Sequence, residues 1–192
     1  MSAALEHPMG PTTVDDWLTR EHPEDGSHLE LIFGYLHMNP PPSGQHQYVG
    51  DELRGLLKTA LRDGGRRDLH AVTGVGVEIS AGMRTALIPD VVVLNTRPVG
   101  ARFRPDNVVL VVEIWSPGNS RTERETKAGA YASAGVPYFW VVNEDRAGGM
   151  TVTALQLTDG RYVEDASAGP GTTVTITAAP VPVTFDPAEL LP

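Results

Sequence analysis

Val108-Val109-Leu110-Val111-Val112-Glu113-Ile114-Trp115 is the stretch whose reading decides the fold. Apolar residues surround a single carboxylate, which predicts a central strand covered on both faces rather than a half-exposed, alternating one. Glu113 is then expensive where it stands. A carboxylate in such a strand needs a cation, several hydrogen-bond donors, or a proton.

Beyond this strand, Ser116-Pro117-Gly118 closes the run and Thr122–Ala134 has helical composition, with Glu123, Glu125 and Lys127 near its start. Gly135 stands where a C-terminal cap belongs, Pro137 follows, and Tyr138–Val142 is a short aromatic and β-branched strand. After Gly148-Gly149, the segments Thr151–Thr158, Tyr162–Glu164, Val174–Thr177 and Val181–Phe185 are rich in Thr and Val and broken often, so they read as peripheral hairpins.

On the N-terminal side, Leu69–Ile79 and Thr85–Leu94 are two β-branched segments separated by a turn at Ser80–Met83, which predicts a hairpin. Glu78, alternating with Val77 and Ile79, reads as solvent-facing. Ile88-Pro89-Asp90 puts a second carboxylate at the start of an apolar strand, 23 residues before Glu113. From Gln45 to about Leu61, the positions Val49, Leu53, Leu56, Leu57, Ala60 and Leu61 recur at three- and four-residue spacings, marking one face of an amphipathic helix that ends at Gly64-Gly65. Leu29–Met38 reads as a strand or hairpin broken at Gly34 and stopped by Pro40–Pro42. Pro11–Asp16 resembles a helix start, with Thr12 or Thr13 as N-cap, Asp15 and Asp16 in the first turn, and Trp17 and Leu18 as apolar anchors.

The fold class predicted is α/β, a central mixed sheet flanked by helices with a β-rich C-terminal extension. One domain over 1–192 is expected, its core at about 12–145 and the extension at about 150–186. The absence of cysteine excludes a disulfide framework, a thiolate metal site and a cysteine nucleophile, so any metal must use oxygen or imidazole. His7, His22, His28, His37 and His70 show no ligand spacing to one another, which argues against zinc. No apolar run approaches the ~20 residues that a bilayer demands, and Met1–Gly10 carries Glu6 and Pro8 where a signal peptide would be apolar, so a cytoplasmic protein without a membrane partner is expected.

A formal charge of −9 argues against a broad, sequence-independent grip on nucleic acid, although Arg62, Arg66 and Arg67, or Arg121 and Arg124, concentrate charge locally. Gly74-Val75-Gly76 lacks the rest of a dinucleotide fingerprint, no phosphate-binding Gly-Lys-Ser/Thr loop exists, and Ser80 and Ser116 have no nucleophile-elbow context. Two carboxylates from neighbouring strands would suit a hard divalent ion. The plainer alternative is that Asp90 caps a turn while Glu113 forms a buried salt bridge with Lys127 or an arginine.

Pro89-Asp90, Val111-Val112-Glu113-Ile114-Trp115-Ser116-Pro117 and the run Lys127–Val142 together resemble the Uma-type family of restriction-endonuclease-like proteins, within the PD-(D/E)XK nuclease superfamily. Glu30–Leu36 and the Pro41–His46 loop extend the resemblance, which covers roughly Trp17 to Asn143. It implies a Mg²⁺-dependent DNA endonuclease, with Mn²⁺ as a substitute. Asp90 and Glu113 would be metal ligands with the Ile114 carbonyl as a third contact, and Lys127 would activate water and stabilise charge. Glu30 would be an additional acid, and His46 a phosphate contact or proton-transfer group. One feature departs from the superfamily pattern: the lysine two residues after the glutamate is replaced by Trp115, and the cation comes from the following helix. A simpler role for Lys127 is an exposed pair with Glu123. A homodimer is expected, through an exposed sheet edge or Tyr138-Phe139-Trp140. The competing readings are a non-catalytic nucleic-acid-binding or interaction module that retains the fold, and a hydrolase of some other phosphoester.

Overall fold

The computed structural model describes residues 9–21, 23–100, 102–116, 118–144 and 148–192. His7, His22, Pro117 and most of the Met1–Gly10 segment lie outside them. In chain order the elements are α1 (Val14–Leu18), β1 (His28–Ile32), β2 (Tyr35–Asn39), α2 (Gly44–Asp63), β3 (His70–Thr73), β4 (Gly76–Ser80), β5 (Thr85–Leu87) and β6 (Val91–Leu94). There follow β7 (Arg102–Phe103), β8 (Val108–Trp115), α3 (Arg121–Ser133), β9 (Tyr138–Glu144), β10 (Met150–Thr158), β11 (Arg161–Ala168), β12 (Val174–Ile176) and β13 (Val183–Phe185).

β8 is the inner strand that its composition predicts. It pairs antiparallel with β6 and parallel with β9 in a six-stranded mixed sheet of order β11-β10-β9-β8-β6-β3. Alternate residues of β8 enter two cores. Leu110, Val112 and Ile114 face α2, whose Val49, Leu53, Leu57 and Leu61 are buried at the predicted spacing. Burying such a side chain contributes roughly 1.5–3 kcal/mol relative to leaving it exposed. Val111 and Trp115 face the other way, toward Tyr131 of α3 and toward Val77 and Leu87 of a second, five-stranded sheet of order β2-β1-β5-β4-β7. Glu113, by alternation, points into this second core.

Helix ends follow local chemistry. The Thr13 hydroxyl accepts from the Asp16 N–H while Asp16 accepts from the Thr13 N–H, a reciprocal capping box. Ser43 and Ser120 cap α2 and α3 in the same sense, each accepting one backbone N–H.

Three expectations change. The predicted hairpin of Leu69–Ile79 with Thr85–Leu94 divides between the two sheets: β4 pairs with β5 in the five-stranded sheet, and β3 pairs with β6 in the six-stranded one. Gly74, with φ of +60°, and Pro89, which has no N–H to donate, are where each segment leaves one ladder for the other. The C-terminal strands are not peripheral. β10 pairs with β9 along seven positions, and Ile176, Val183, Phe185 and Leu190 lie in the same core as α2. Trp140 donates its indole N–H to the Ala178 carbonyl at 2.7 Å, tying that tail to the central sheet. Glu78 is mostly buried rather than solvent-facing and lies 3.2 Å from the Arg102 guanidinium.

Candidate active site

Five of the sequence-predicted residues converge where the two sheets meet α2 and α3. β8 supplies Glu113, the turn before β6 supplies Asp90, β1 supplies Glu30, the first turn of α2 supplies His46, and the second turn of α3 supplies Lys127. The antiparallel register that sets Val91 against Val112 brings Asp90 to the end of β8, where its Oδ2 accepts the Ile114 N–H at 2.6 Å. Its Oδ1 lies 2.8 Å from His46 Nε2.

Lys127 does not pair with Glu123. Its side chain is buried, and Nζ donates to Glu30 Oε1 at 3.0 Å and to Glu113 Oε2 at 3.3 Å. Glu123 accepts instead from Asn119. The remaining oxygens are also engaged: Glu30 Oε1 accepts the Ile88 N–H at 2.8 Å, Glu30 Oε2 accepts from Asn39, and Glu113 Oε1 accepts the Tyr131 hydroxyl at 2.6 Å. Sequence reasoning missed Asn39 and Tyr131 as partners. Tyr131 had a signal, since it stands four residues after Lys127 and so on the same face of α3. Trp115 puts its ring 5.7 Å from both Lys127 Nζ and the Arg124 guanidinium carbon, within cation–π range of each.

The electrostatics follow from the burial. Burial pushes the Glu113 carboxyl up to about 8, against the pull of Lys127 and with the Asp90 and Glu30 carboxylates adding to the rise. Burial alone would lower the Lys127 ammonium, but Glu113 and Glu30 outweigh it and hold it above the usual lysine range. The hydrogen bond to Asp90 raises the His46 imidazole, in spite of partial burial. Tyr131 is pushed well above the ordinary phenol value by burial and then by Glu113, so it stays a neutral donor.

Among the described residues no group of three or more His, Asp or Glu side chains forms a ready-made cation cage. Glu30, Asp90 and Glu113 are nevertheless oxygen donors of the kind that a hard divalent ion takes. Lys127 pairs with Glu30 and Glu113, and the Asp90 carboxylate adds to a rise of Glu113 whose main cause is burial. Asp90 and His46 are partly exposed and open onto a cleft of about 270 Å³, which Glu113, Ile114 and Lys127 also line. The cleft therefore reaches Asp90 and Glu113.

The strand order, the helices on it and this cleft mark an α/β protein of the restriction-endonuclease-like class, and comparison with known proteins agrees. A crystal structure of a protein from Anabaena variabilis ATCC 29413, described as a putative nuclease belonging to DUF820, superposes with a TM-score of 0.70 over 94% of this chain and 97% of that one, at 19% identity. At that identity the likeness speaks for the fold. The Uma2 family model, described as putative restriction endonuclease, matches residues 14–185, and the chain belongs to that family. No curated protein matches it. No helix among the described residues is long and apolar enough to cross a membrane.

Proposed function

We propose that this protein is a Mg²⁺-dependent endonuclease that hydrolyses DNA phosphodiester bonds, with Mn²⁺ able to substitute. The observation that carries the reading is the gathering of Asp90, Glu113 and Lys127 from three separate elements at one cleft, with Glu30 bonded to the Lys127 ammonium and carboxylates in excess of cations. Asp90 and Glu113 would hold the ion, with the Ile114 carbonyl as the third contact that the family resemblance implies. When bound, the ion would supply charge neutralisation at the phosphate and make a water acidic enough to attack at neutral pH.

The chain's own groups account for the rest. Hydrolysis joins a water oxygen to phosphorus, breaks one P–O bond and delivers a proton to the leaving oxygen. Lys127, held as an ammonium, meets developing negative charge on the phosphoryl oxygens. Glu30 and Tyr131 fix the rotamers of Lys127 and Glu113 by hydrogen bonding. His46, bonded to Asp90 and raised by it, lines the cleft and would donate a proton. Arg54, Lys58, Arg62, Arg66 and Arg67 line a groove along α2 and the turn after it; Arg54, Arg62 and Arg66 pair with Asp51, Asp63 and Asp68, and Lys58 and Arg67 would meet flanking phosphates there.

The second reading, a non-catalytic nucleic-acid-binding module, is favoured by one observation: the oxygens of Glu30, Asp90 and Glu113 are all already hydrogen-bonded within the protein. Titration calorimetry with Mn²⁺ separates the two. The endonuclease binds Mn²⁺ and loses that binding in Asp90→Asn, and with the metal present it cleaves DNA in preference to bis(p-nitrophenyl) phosphate. A folded protein that binds no Mn²⁺ and cleaves neither is the module. Pairing of two copies would use a strand edge such as β11, because Phe139 and Trp140 of the expected aromatic surface are buried.

A further inference from the structure

A second cavity adjoins the carboxylate cleft. It measures about 790 Å³, and its floor is one face of the β1–β2 hairpin, where Glu30, Ile32, Tyr35, His37 and Asn39 share a side by register. Its opposite wall is the start of α3, which contributes the hydroxyls of Ser120, Thr122 and Thr126. Asn39 and Glu123 line both cavities, so the two are neighbours.

The cavity is unusual in two respects. Of the eight large apolar side chains exposed among the described residues, five line it: Met9, Phe33, Tyr35, Met38 and Met83. Such a concentration of exposed apolar surface marks a binding site more often than chance. Phe33 is also held against its backbone preference. It and Gly34 form the two-residue turn of the hairpin with φ of +50° and +79°, where a type I′ turn favours Asn-Gly and a bulky side chain is disfavoured. The Phe33 N–H donates to Thr85 Oγ1 and its carbonyl accepts the Gly10 N–H, so the ring is presented from a fixed backbone. Phe33 is 43% exposed and belongs to none of the buried cores, so the turn does not owe its aromatic to core packing.

We propose that this groove seats an unpaired nucleobase of the DNA substrate, stacked on Phe33 with Tyr35 and Met38 beside it, so that cleavage takes place where a strand is single or locally open. The inference rests on the nuclease reading of the adjoining cleft. Among the described residues that line it the groove has no Lys or Arg to hold a phosphate and has two acids, Glu30 and Glu123, that would repel one, while its apolar side chains with Asn39, Ser120, Thr122 and Thr126 suit a flat base with polar edges. A base inside a duplex stack offers no free face to such a wall. Division of labour follows: phosphates at Lys127 and along α2, and the base at the hairpin.

The test is binding of a single-stranded oligonucleotide carrying 2-aminopurine to the full chain in EDTA, which prevents cleavage. The native protein is expected to bind and to quench the fluorophore. Phe33→Asn is expected to melt no lower than the native protein, because Asn adopts positive φ more readily, yet to bind about 5- to 100-fold more weakly. Phe33→Tyr should retain binding, and Met38→Ser, at a 65% exposed position, should weaken it without unfolding. Native-like binding by Phe33→Asn and Met38→Ser overturns the proposal. So does a change of oligomeric state in Phe33→Asn, which would make a second copy the occupant. Cleavage with no effect of either variant on binding sinks the groove alone, whereas Phe33-dependent binding without any cleavage sinks the nuclease reading and leaves the base site standing.

Discussion

Lys127→Met is the perturbation whose cost the structure predicts most directly. The substitution keeps a long apolar stem but removes an ammonium that lies 3.0 Å from Glu30 Oε1 and 3.3 Å from Glu113 Oε2 inside a buried site. Breaking a buried pair from one side costs roughly 3–5 kcal/mol, because the partners stay behind without compensation. At about 2–4 °C per kcal/mol for a chain of this size, the melting temperature should fall by roughly 6–20 °C. Adding Glu113→Gln should recover part of that loss above about pH 4.5, with a coupling of about 0.5–3 kcal/mol, since it removes the cost of keeping Glu113 protonated in the folded state. The deficit should also depend on pH. Glu113 is raised in the folded protein to about 8 from 4.5, and it rises further without Lys127. The folded state therefore binds the extra proton, and Glu113's contribution is present at low pH and lost as pH rises from about 4.5 through the folded value. Thermal melts of the native, single and double variants between pH 5 and 9 measure all of this. A loss under about 1 kcal/mol, additive with Glu113→Gln and flat with pH, refutes the argument.

Three further outcomes follow. Tyr131→Phe removes the hydroxyl at 2.6 Å from Glu113 Oε1 and should cost about 1.5–3 kcal/mol in denaturant titration, while raising the Glu113 carboxyl further. His46, raised by its bond to Asp90, should titrate by NMR above the ordinary histidine value; its contribution to stability is complete below about 6.5 and lost as pH rises through the folded value, and Asp90→Asn should bring the titration down. Lys58→Glu with Arg67→Glu, two groove cations that do not line the carboxylate cleft, should weaken duplex DNA binding and reduce the slope of log K against log salt by about 1.8, read by anisotropy at several salt concentrations.

β8 and α2 were legible in the sequence because their burial leaves a direct trace, an unbroken apolar run in one and a three- and four-residue spacing in the other. Asp90, Glu113 and Lys127 were legible as candidates through the family resemblance. Their contacts were not. Lys127 has Glu123 one turn before it on its own helix, and only the packing of α3 against β8 and β1 shows that buried Glu113 and Glu30 take the ammonium. The division of two apparent hairpin segments between two sheets was hidden for a similar reason: alternation shows which residues face inward but not which ladder a segment joins after Gly74 or Pro89. The C-terminal strands carry weak local patterns, and their burial depends on a partner surface, α2 and Trp140, that lies far away in the chain.

Nicking of supercoiled plasmid DNA by the purified chain with Mg²⁺ or Mn²⁺, alongside folded Asp90→Asn and Lys127→Ala, tests the central claim most directly. The account predicts metal-dependent conversion to open circles by the native protein, abolished by EDTA and lost in both variants. Cleavage that survives in both variants, or no cleavage of plasmid or single strand by the folded native protein with either metal, would contradict it.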